Sequence, residues 1–383
     1  MESRPEPPFA GPAHADLDLT NACNLQCSHC DVSSGIPLTE ELDRTGIFSI
    51  IGQLYNLGVL SLTVAGGEPF LRPDAVDILE RACSYPGWRV SVITNGTLLS
   101  GRLVWDLLHR CPGLSVTVSL DGSMPASFDI IRHSGRRTTA AQRSLFSLVT
   151  SGIARGAEAG LEMHAAFALT CVNQADLMPT YNLAIDLGVR DILAIKFFPG
   201  GRGLEHVAEM EFPYPEWAEM MVALTKAKMG GDLPYLALSV PAPWEFYLPL
   251  IDAGVDIAEA EAAWGYQAPL REPVYLATGS LGDPSGIIDL NVVANGDVFP
   301  VTLMSRDRSA LCGNIMDRPL ADIWRYSEPL GRLRELTLKD LCEDCRACGI
   351  VTICGGGSRA RALTRTGRID GPDTACPRIG RAE

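Results

Sequence analysis

Short runs in which apolar and polar residues alternate are separated by stretches whose apolar positions recur every three or four residues. The extended runs are ADLDL at 15–19, LSLTV at 60–64, RVSVI at 89–93, LSVTVSL at 114–120, MHAAFAL at 163–169 and ILAIKFF at 192–198. A period of two places one side of each run in a core and predicts strands. Between the first two, Ile47, Ile50, Ile51, Leu54 and Leu57 recur at helical spacing, and Gly58 supplies a stop. Strand and helix alternating six times predict a parallel sheet with right-handed crossovers. Six units fall short of the eight that close a barrel, so the expected fold is α/β, an open or partial (β/α)6 barrel over 15–228. Ligands of such sheets bind at the C-terminal ends of the strands.

The flanking segments read differently. Residues 1–14 are Pro-rich and polar, which predicts a flexible tail. After FFPGGRG, a helical stretch covers about 214–229. Residues 229–285 carry Pro, Gly and Trp without a period and read as an irregular linker. The last unit, 286–383, opens with DLNVVANGDVFPV, where Asn295-Gly296 between apolar runs predicts a hairpin. A short helix near Ala321–Tyr326 follows, then a Cys-rich tail.

Composition narrows the function. The chain has 383 residues and a net charge of −14, which argues against a phosphate-binding surface and so against nucleic-acid partners. It has no apolar run of membrane-spanning length and no apolar signal-peptide segment, so a cytoplasmic protein is expected. Twelve cysteines in a reducing compartment point to metal rather than disulfides.

Three of them, Cys23, Cys27 and Cys30, have the spacing C-x3-C-x2-C directly after the first strand. A structural zinc site would want a fourth ligand, for which His29, wedged between Ser28 and Cys30, is poorly placed. A 4Fe-4S cluster on three thiolates leaves one iron open. Near the C-terminus, Cys345, Cys348, Cys354 and Cys376 supply four thiolates, which suit zinc or a closed 4Fe-4S cluster. Cys342 extends that run as a substitute or spare, and Cys83, Cys111 and Cys171 fall on helix or strand patterns as core residues. Gly66-Gly67-Glu68-Pro69 after the second strand reads either as a tight turn or as a close approach to a ligand, with a carboxylate suited to an amine. Arg132 reads either as a surface ion pair or as a bidentate carboxylate binder. Lys196, Arg202 and His206, on or near the sixth strand and its loop, are ordinary loop charges or substrate contacts.

CNLQCSHC resembles the cluster motif of radical S-adenosylmethionine (SAM) enzymes. Ala65–Pro69 resembles their GGE motif, Ser91–Gly96 their TNG segment, and Val118–Gly122 with Arg132 downstream a further SAM-contacting motif; the usual His-Asp before that Arg is here Phe128-Asp129. The resemblance implies a SAM-binding 4Fe-4S cluster on Cys23, Cys27 and Cys30, with SAM on the open iron. It also implies SAM contacts from Gly66, Gly67, Glu68, Pro69, Asn95, Ser119 and Arg132. Reductive cleavage of SAM would give a 5′-deoxyadenosyl radical that abstracts hydrogen from the substrate.

CEDCRACGIVTICGGGSRARALTRTGRIDGPDTAC resembles the SPASM module of that superfamily, which implies an auxiliary 4Fe-4S cluster on Cys345, Cys348, Cys354 and Cys376. A second auxiliary cluster is not expected: Val301 and Ser358 stand where its cysteines belong, and TGSLGDPSG has none. Cys312 is a candidate hydrogen donor or a buried small residue. CGGGSRARA is most like the haem d1 branch of the superfamily, while the whole layout resembles peptide maturases of the mycofactocin and pyrroloquinoline quinone pathways. A ribosomally made peptide is the expected substrate. A tetrapyrrole, small cofactor or antibiotic intermediate is the alternative, and a non-enzymatic iron–sulfur or zinc protein the least expected. The resemblance further implies an electron donor such as flavodoxin or ferredoxin. No N-terminal leader-binding domain is recognised, so a separate peptide-recognition protein would supply that role.

Overall fold

The computed structural model describes residues 7, 9–134, 144–267, 279–281 and 283–380. Its centre is a ten-stranded sheet. The strands are β1 (His14–Asp18), β2 (Ser61–Ala65), β3 (Arg89–Thr94), β4 (Ser115–Ser119), β5 (Glu162–Leu169), β6 (Ile192–Lys196) and β7 (Leu236–Ser239), followed by β8 (Asp289–Val292), β9 (Asp297–Phe299) and β10 (Gly313–Asn314). The spatial order is β10-β9-β8-β1-β2-β3-β4-β5-β6-β7. Neighbours from β8 through β1 to β7 are parallel, whereas β8–β9 and β9–β10 are antiparallel. This is the expected partial barrel.

Helices α1 (Arg44–Asn56), α2 (Ala75–Cys83), α3 (Gly101–Arg110), α4 (Pro125–Phe128), α5 (Leu145–Ala159) and α6 (Leu177–Asp186) connect the first six strands. The alternation in each strand explains the layering. Leu17, Leu62, Val64, Val90, Val92, Val116 and Val118 are buried and form one core with Ile47, Ile50, Ile51 and Leu54 of α1. The residues between them are polar: His14, Asp16 and Asp18 on β1, Thr63 on β2, Ser91 on β3. They share hydrogen bonds across strands, His14 Nδ1 to Ser61 Oγ at 2.9 Å and Thr63 Oγ1 to Ser91 Oγ at 3.1 Å. The sheet therefore has an apolar side under the helices and a polar barrel interior. α1 begins where Asp43 accepts from the Gly46 N–H at 2.8 Å, and it ends just before Gly58 at φ +81°.

The stretch read as an irregular linker is ordered. After α7 (Val207–Met210) and α8 (Tyr214–Met229), β7 extends the sheet beyond β6, and α9 (Trp244–Asp252) and α10 (Ile257–Trp264) follow. No period marks α9 because every residue from Trp244 to Leu250 is buried, which leaves no polar face to alternate with. Residues 268–278 and 282 of that stretch lie outside the described residues. The last residues of the expected tail are also pinned: the Ala13 N–H donates to Ile288 O at 2.8 Å, and Trp324 Nε1 donates to Phe9 O at 3.0 Å.

The hairpin at Asn295-Gly296 forms, with Gly296 at φ +87°. Its first strand pairs with β1, so the C-terminal unit continues the barrel sheet from its other edge. Short helices at Leu320–Tyr326, Glu328–Glu335, Glu343–Arg346, Val351–Cys354 and Arg359–Thr366 complete the chain.

Candidate active site

A cleft of about 170 Å³ opens at the C-terminal ends of the strands. Cys23, Cys27 and Cys30 line it, together with Gly66, Gly67, Asn95, Ser119 and Arg132. Residues that the sequence scatters over more than a hundred positions thus meet in one place.

The cysteine loop leaves β1 and is fastened from several sides. The Gln26 N–H donates to His133 O at 2.7 Å and the Ser28 N–H to Ile131 O at 2.9 Å. Arg202 Nη1 donates to Cys27 O and Nη2 to Ser34 O, both at 2.8 Å. Arg202 lines the cleft, but its guanidinium is occupied in holding the loop. The other two candidate substrate contacts lie elsewhere. His206 pairs with Glu209 at 3.3 Å in an exposed turn, and Lys196 is buried against Glu245.

The glycine pair has a reason in the protein itself. Gly66 sits at φ +128°, and a Cβ there would lie 2.4 Å from Thr20 O. A Cβ on Gly67 would lie 2.1 Å from Ala22 O. The N–H groups of Gly67 and Glu68 donate to those same carbonyls at 2.7 and 2.8 Å. The missing side chains let the β2 loop dock on the loop that carries Cys23.

Glu68 and Pro69 are not among the residues lining the cleft. Glu68 is fully buried and accepts from Thr94 Oγ1 at 2.8 Å, the Asn95 N–H at 2.8 Å and the Phe70 N–H at 3.2 Å. Burial pushes its carboxyl up, opposed by these donors. Within the protein it ties the β2 loop to the end of β3 and so orients Asn95. Pro69 opens the turn Pro69–Leu71 behind it. Asn95 Nδ2 donates to Asn24 Oδ1 at 2.8 Å, beside Cys23.

Arg132 is buried, and its Nε is bound to Asp121. Its Nη1 lies 3.7 Å from Cys27 Sγ. Asp121 also accepts from the Ala168 N–H at 2.6 Å, which anchors the pair to β5. Asp121 was missed as a site residue, although it lies in the Val118–Gly122 motif just past β4. His29 Nε2 faces Arg132 Nη2 at 3.4 Å, and its Nδ1 is buried without a partner. Burial, then the Arg132 charge, pulls His29 down to about 4, so the ring is neutral at pH 7. Burial pushes the Cys27 thiol up to about 11, against the pull of Arg132, so a bound metal must displace its proton.

The C-terminal cysteines gather in a second place. Cys345, Cys348, Cys354 and Cys376 line one apolar cavity walled by Trp244, Leu248 and Ile350. Cys342 is not among its lining residues. Gly356 and Gly357 turn at φ +85° and +81°, and a Cβ on Gly357 would lie 2.5 Å from Asp373 Oδ2. Ser358 is the buried cap of the helix Arg359–Thr366, accepting from the Arg361 N–H at 3.2 Å, and Val301 packs on an apolar cluster with Phe299.

Cys312 lies in the main hydrophobic core, 3% exposed, and lines neither cysteine cavity. Burial pushes its thiol up to about 12. Of the two readings of Cys312, this placement is that of a buried small residue. Cys111 is likewise buried, Cys83 packs against the core, and Cys171 is half-buried with its Sγ on Glu209 O at 2.7 Å.

Residues 17–184 match the radical SAM superfamily, and residues 286–349 match SPASM, an iron–sulfur cluster-binding domain. The chain carries a radical SAM domain followed by a SPASM domain. It is 28% identical over 359 residues to the AdoMet-dependent heme synthase of Methanosarcina barkeri, covering 91% of this chain and 92% of that one. It is 27% identical over 365 residues to a PqqA peptide cyclase of Xanthomonas campestris, covering 94% and 86%. Streptococcus suis SuiB, solved bound to its precursor peptide SuiA, superposes with a TM-score of 0.72 at 16% identity, covering 96% of this chain and 76% of SuiB. This radical SAM enzyme thus shares its fold with SuiB. Among the described residues no helix is long and apolar enough to cross a membrane.

Proposed function

We propose that this radical SAM enzyme modifies a ribosomally made peptide, and that the cleft at Cys23, Cys27 and Cys30 is where its radical is made. The observation that carries this reading is the convergence of the three thiols with Asn95, Ser119 and Arg132 on one cleft at the strand ends. The donor set fits the group. Three cysteines leave an iron of a 4Fe-4S cluster open, and the buried guanidinium beside Cys27 offsets thiolate charge. With cluster and SAM bound, the site supplies reductive cleavage of SAM to methionine and a 5′-deoxyadenosyl radical.

The chain's own groups do the positioning. Arg202 and the Thr20 and Ala22 carbonyls hold the cysteine loop in register with the glycine pair. Glu68 fixes Asn95 at the cleft wall. Asp121 orients Arg132, which lines the cleft with a guanidinium of the kind that binds a carboxylate. Cys345, Cys348, Cys354 and Cys376 hold a single auxiliary 4Fe-4S cluster in the second cavity, with Arg378 Nη1 3.5 Å from Cys348 Sγ. Its closed ligand set suits electron transfer rather than substrate binding.

Peptide chemistry is supported by the PqqA peptide cyclase relative and by SuiB with its precursor peptide. The heme synthase relative favours a second reading, radical modification of a tetrapyrrole. Anaerobically reconstituted protein should hold roughly eight irons and, with dithionite and SAM, release 5′-deoxyadenosine. Cys27→Ala abolishes that release; Cys354→Ala removes about four irons. An iron content unchanged by Cys354→Ala refutes the auxiliary assignment. Incubated with a candidate precursor peptide, the enzyme should change that peptide's mass in step with 5′-deoxyadenosine. A mass change on a porphyrin instead supports the second reading.

A further inference from the structure

A second cavity, of about 210 Å³, lies between the end of β1, the cysteine loop and the β8–β9 hairpin. It shares Val32, Ser34 and Gly66 with the cysteine cleft, so whatever fills it sits beside the place where the radical is made. An engineered cavity of about 150 Å³ holds benzene, so this one suits a single side chain and not a folded peptide.

Two carboxylates, Asp18 and Asp297, and two guanidiniums, Arg306 and Arg308, line it, but neither guanidinium is paired with Asp18. Arg308 is spent on Asp297 at 2.7 Å, and Arg306 Nη2 on Asn21 Oδ1 at 2.5 Å. Asp16 is satisfied by Thr302 Oγ1 at 2.7 Å and by His14 at 3.3 Å. Asp18 lines the cavity and is only 8% exposed, yet among the described residues no Lys, Arg or His lies within ion-pair distance of it. Asn291 next to it is fully buried, and its amide favours the charged form of the carboxyl. Burial, then the like charges of Asp16 and Asp31, raises the Asp18 carboxyl to about 7, against the pull of the Asn291 amide and of the more distant Arg306 charge. A buried carboxylate facing a side-chain-sized space, with no cation in ion-pair contact, is complementary to a positive ligand group. The chain's net charge of −14 also draws cations towards it.

We propose that this cavity receives a cationic side chain of the substrate, a lysine ammonium or an arginine guanidinium, with the Asp18 carboxylate as its counter-charge. The proposal rests on the peptide reading above and names the residue type that the peptide presents next to the cleft. Asp18 is a substrate-binding residue here; no bond is made or broken at it.

The test is calorimetric titration of the reconstituted holoenzyme with N-acetyl-lysine methylamide and with its neutral isostere, N-acetyl-norleucine methylamide. The lysine amide should bind at least about tenfold more tightly, and Asp18→Asn should erase that preference. Butylammonium binding as tightly as the lysine amide supports the same anchor with a free amine as the source. Equal binding of the two amides, no binding of either, or a preference that survives in Asp18→Asn overturns the proposal. If Asp18→Asn does not fold, the ligand series on the native chain decides alone. The peptide reading is judged separately, by a mass change on a peptide, so one can fail without the other.

Discussion

Glu245→Gln should destabilise the protein far more than a conservative exchange at a surface carboxylate would. Glu245 is fully buried, and its Oε1 receives Lys196 Nζ and, at 3.2 Å, Arg361 Nη1. Arg361 binds Asp373 through Nε at 2.7 Å and Nη2 at 2.9 Å, and Asp373 also accepts from Trp244 Nε1 at 3.0 Å. The four charges sum to zero inside the protein. Burial alone would pull Arg361 down, but Glu245 and Asp373 more than reverse it. Burial pushes Asp373 up, and Arg361 reverses that too, leaving its carboxyl below the usual range. Removing the Glu245 charge leaves two buried cations against one anion. Breaking a buried pair in this way costs about 3–5 kcal/mol, which lowers the folded-to-unfolded ratio by roughly two to three and a half orders of magnitude. The assay is urea denaturation followed by tryptophan fluorescence, since Trp217 lies 4.9 Å from Lys196 Nζ and Trp244 lies 5.5 Å from the Arg361 guanidinium. Adding Lys196→Met to Glu245→Gln restores neutrality and should recover about half of the loss or more. A single variant within about 1 kcal/mol of the native chain, or a double variant no more stable than the single, would refute this account of the network.

Gly67→Ala should cost the protein the iron of the cysteine loop, about four atoms per chain, because a Cβ there meets Ala22 O at 2.1 Å. Gly35→Ala, in the same loop with nothing within 4 Å, is the control; equal iron in both variants counts against the packing argument. Asp18 gives a pH dependence of opposite sign to that of an ion-paired carboxylate. Its folded value is about 7, against about 3.9 unfolded. Over that interval the folded state keeps a proton that the unfolded state has lost, so stability falls as pH rises from about 4 to 7. Asp18→Asn should flatten the urea midpoint over this range and raise it at pH 8, by on the order of 2 kcal/mol or less; a profile that the substitution does not change would sink the idea.

The parts of this fold that were legible in sequence are those whose signal is local. β1 to β6 each bury one side under helices, so a period of two survives in their residues. Cys23, Cys27 and Cys30 come from one loop, and their spacing alone points to an open cluster site. Where burial is complete the pattern disappears: α9 has no polar face, and its segment read as a linker. Where a group acts through distant partners, spacing is silent as well. Arg132 reaches Cys27 across 105 positions and Arg202 reaches its carbonyl across 175. Lys196, which reads as a loop charge or a substrate contact, finds its partner in Glu245, 49 positions on, inside a segment that showed no period. The glycine pair and Glu68 show the same limit from the other side. Their motif marks the right place, but their contacts are with Thr20, Ala22, Thr94 and Asn95. The cysteine loop keeps its shape because the adjacent strand ends are built to fit it. A substitution in those strand ends should therefore disturb the iron site even where it touches no cysteine.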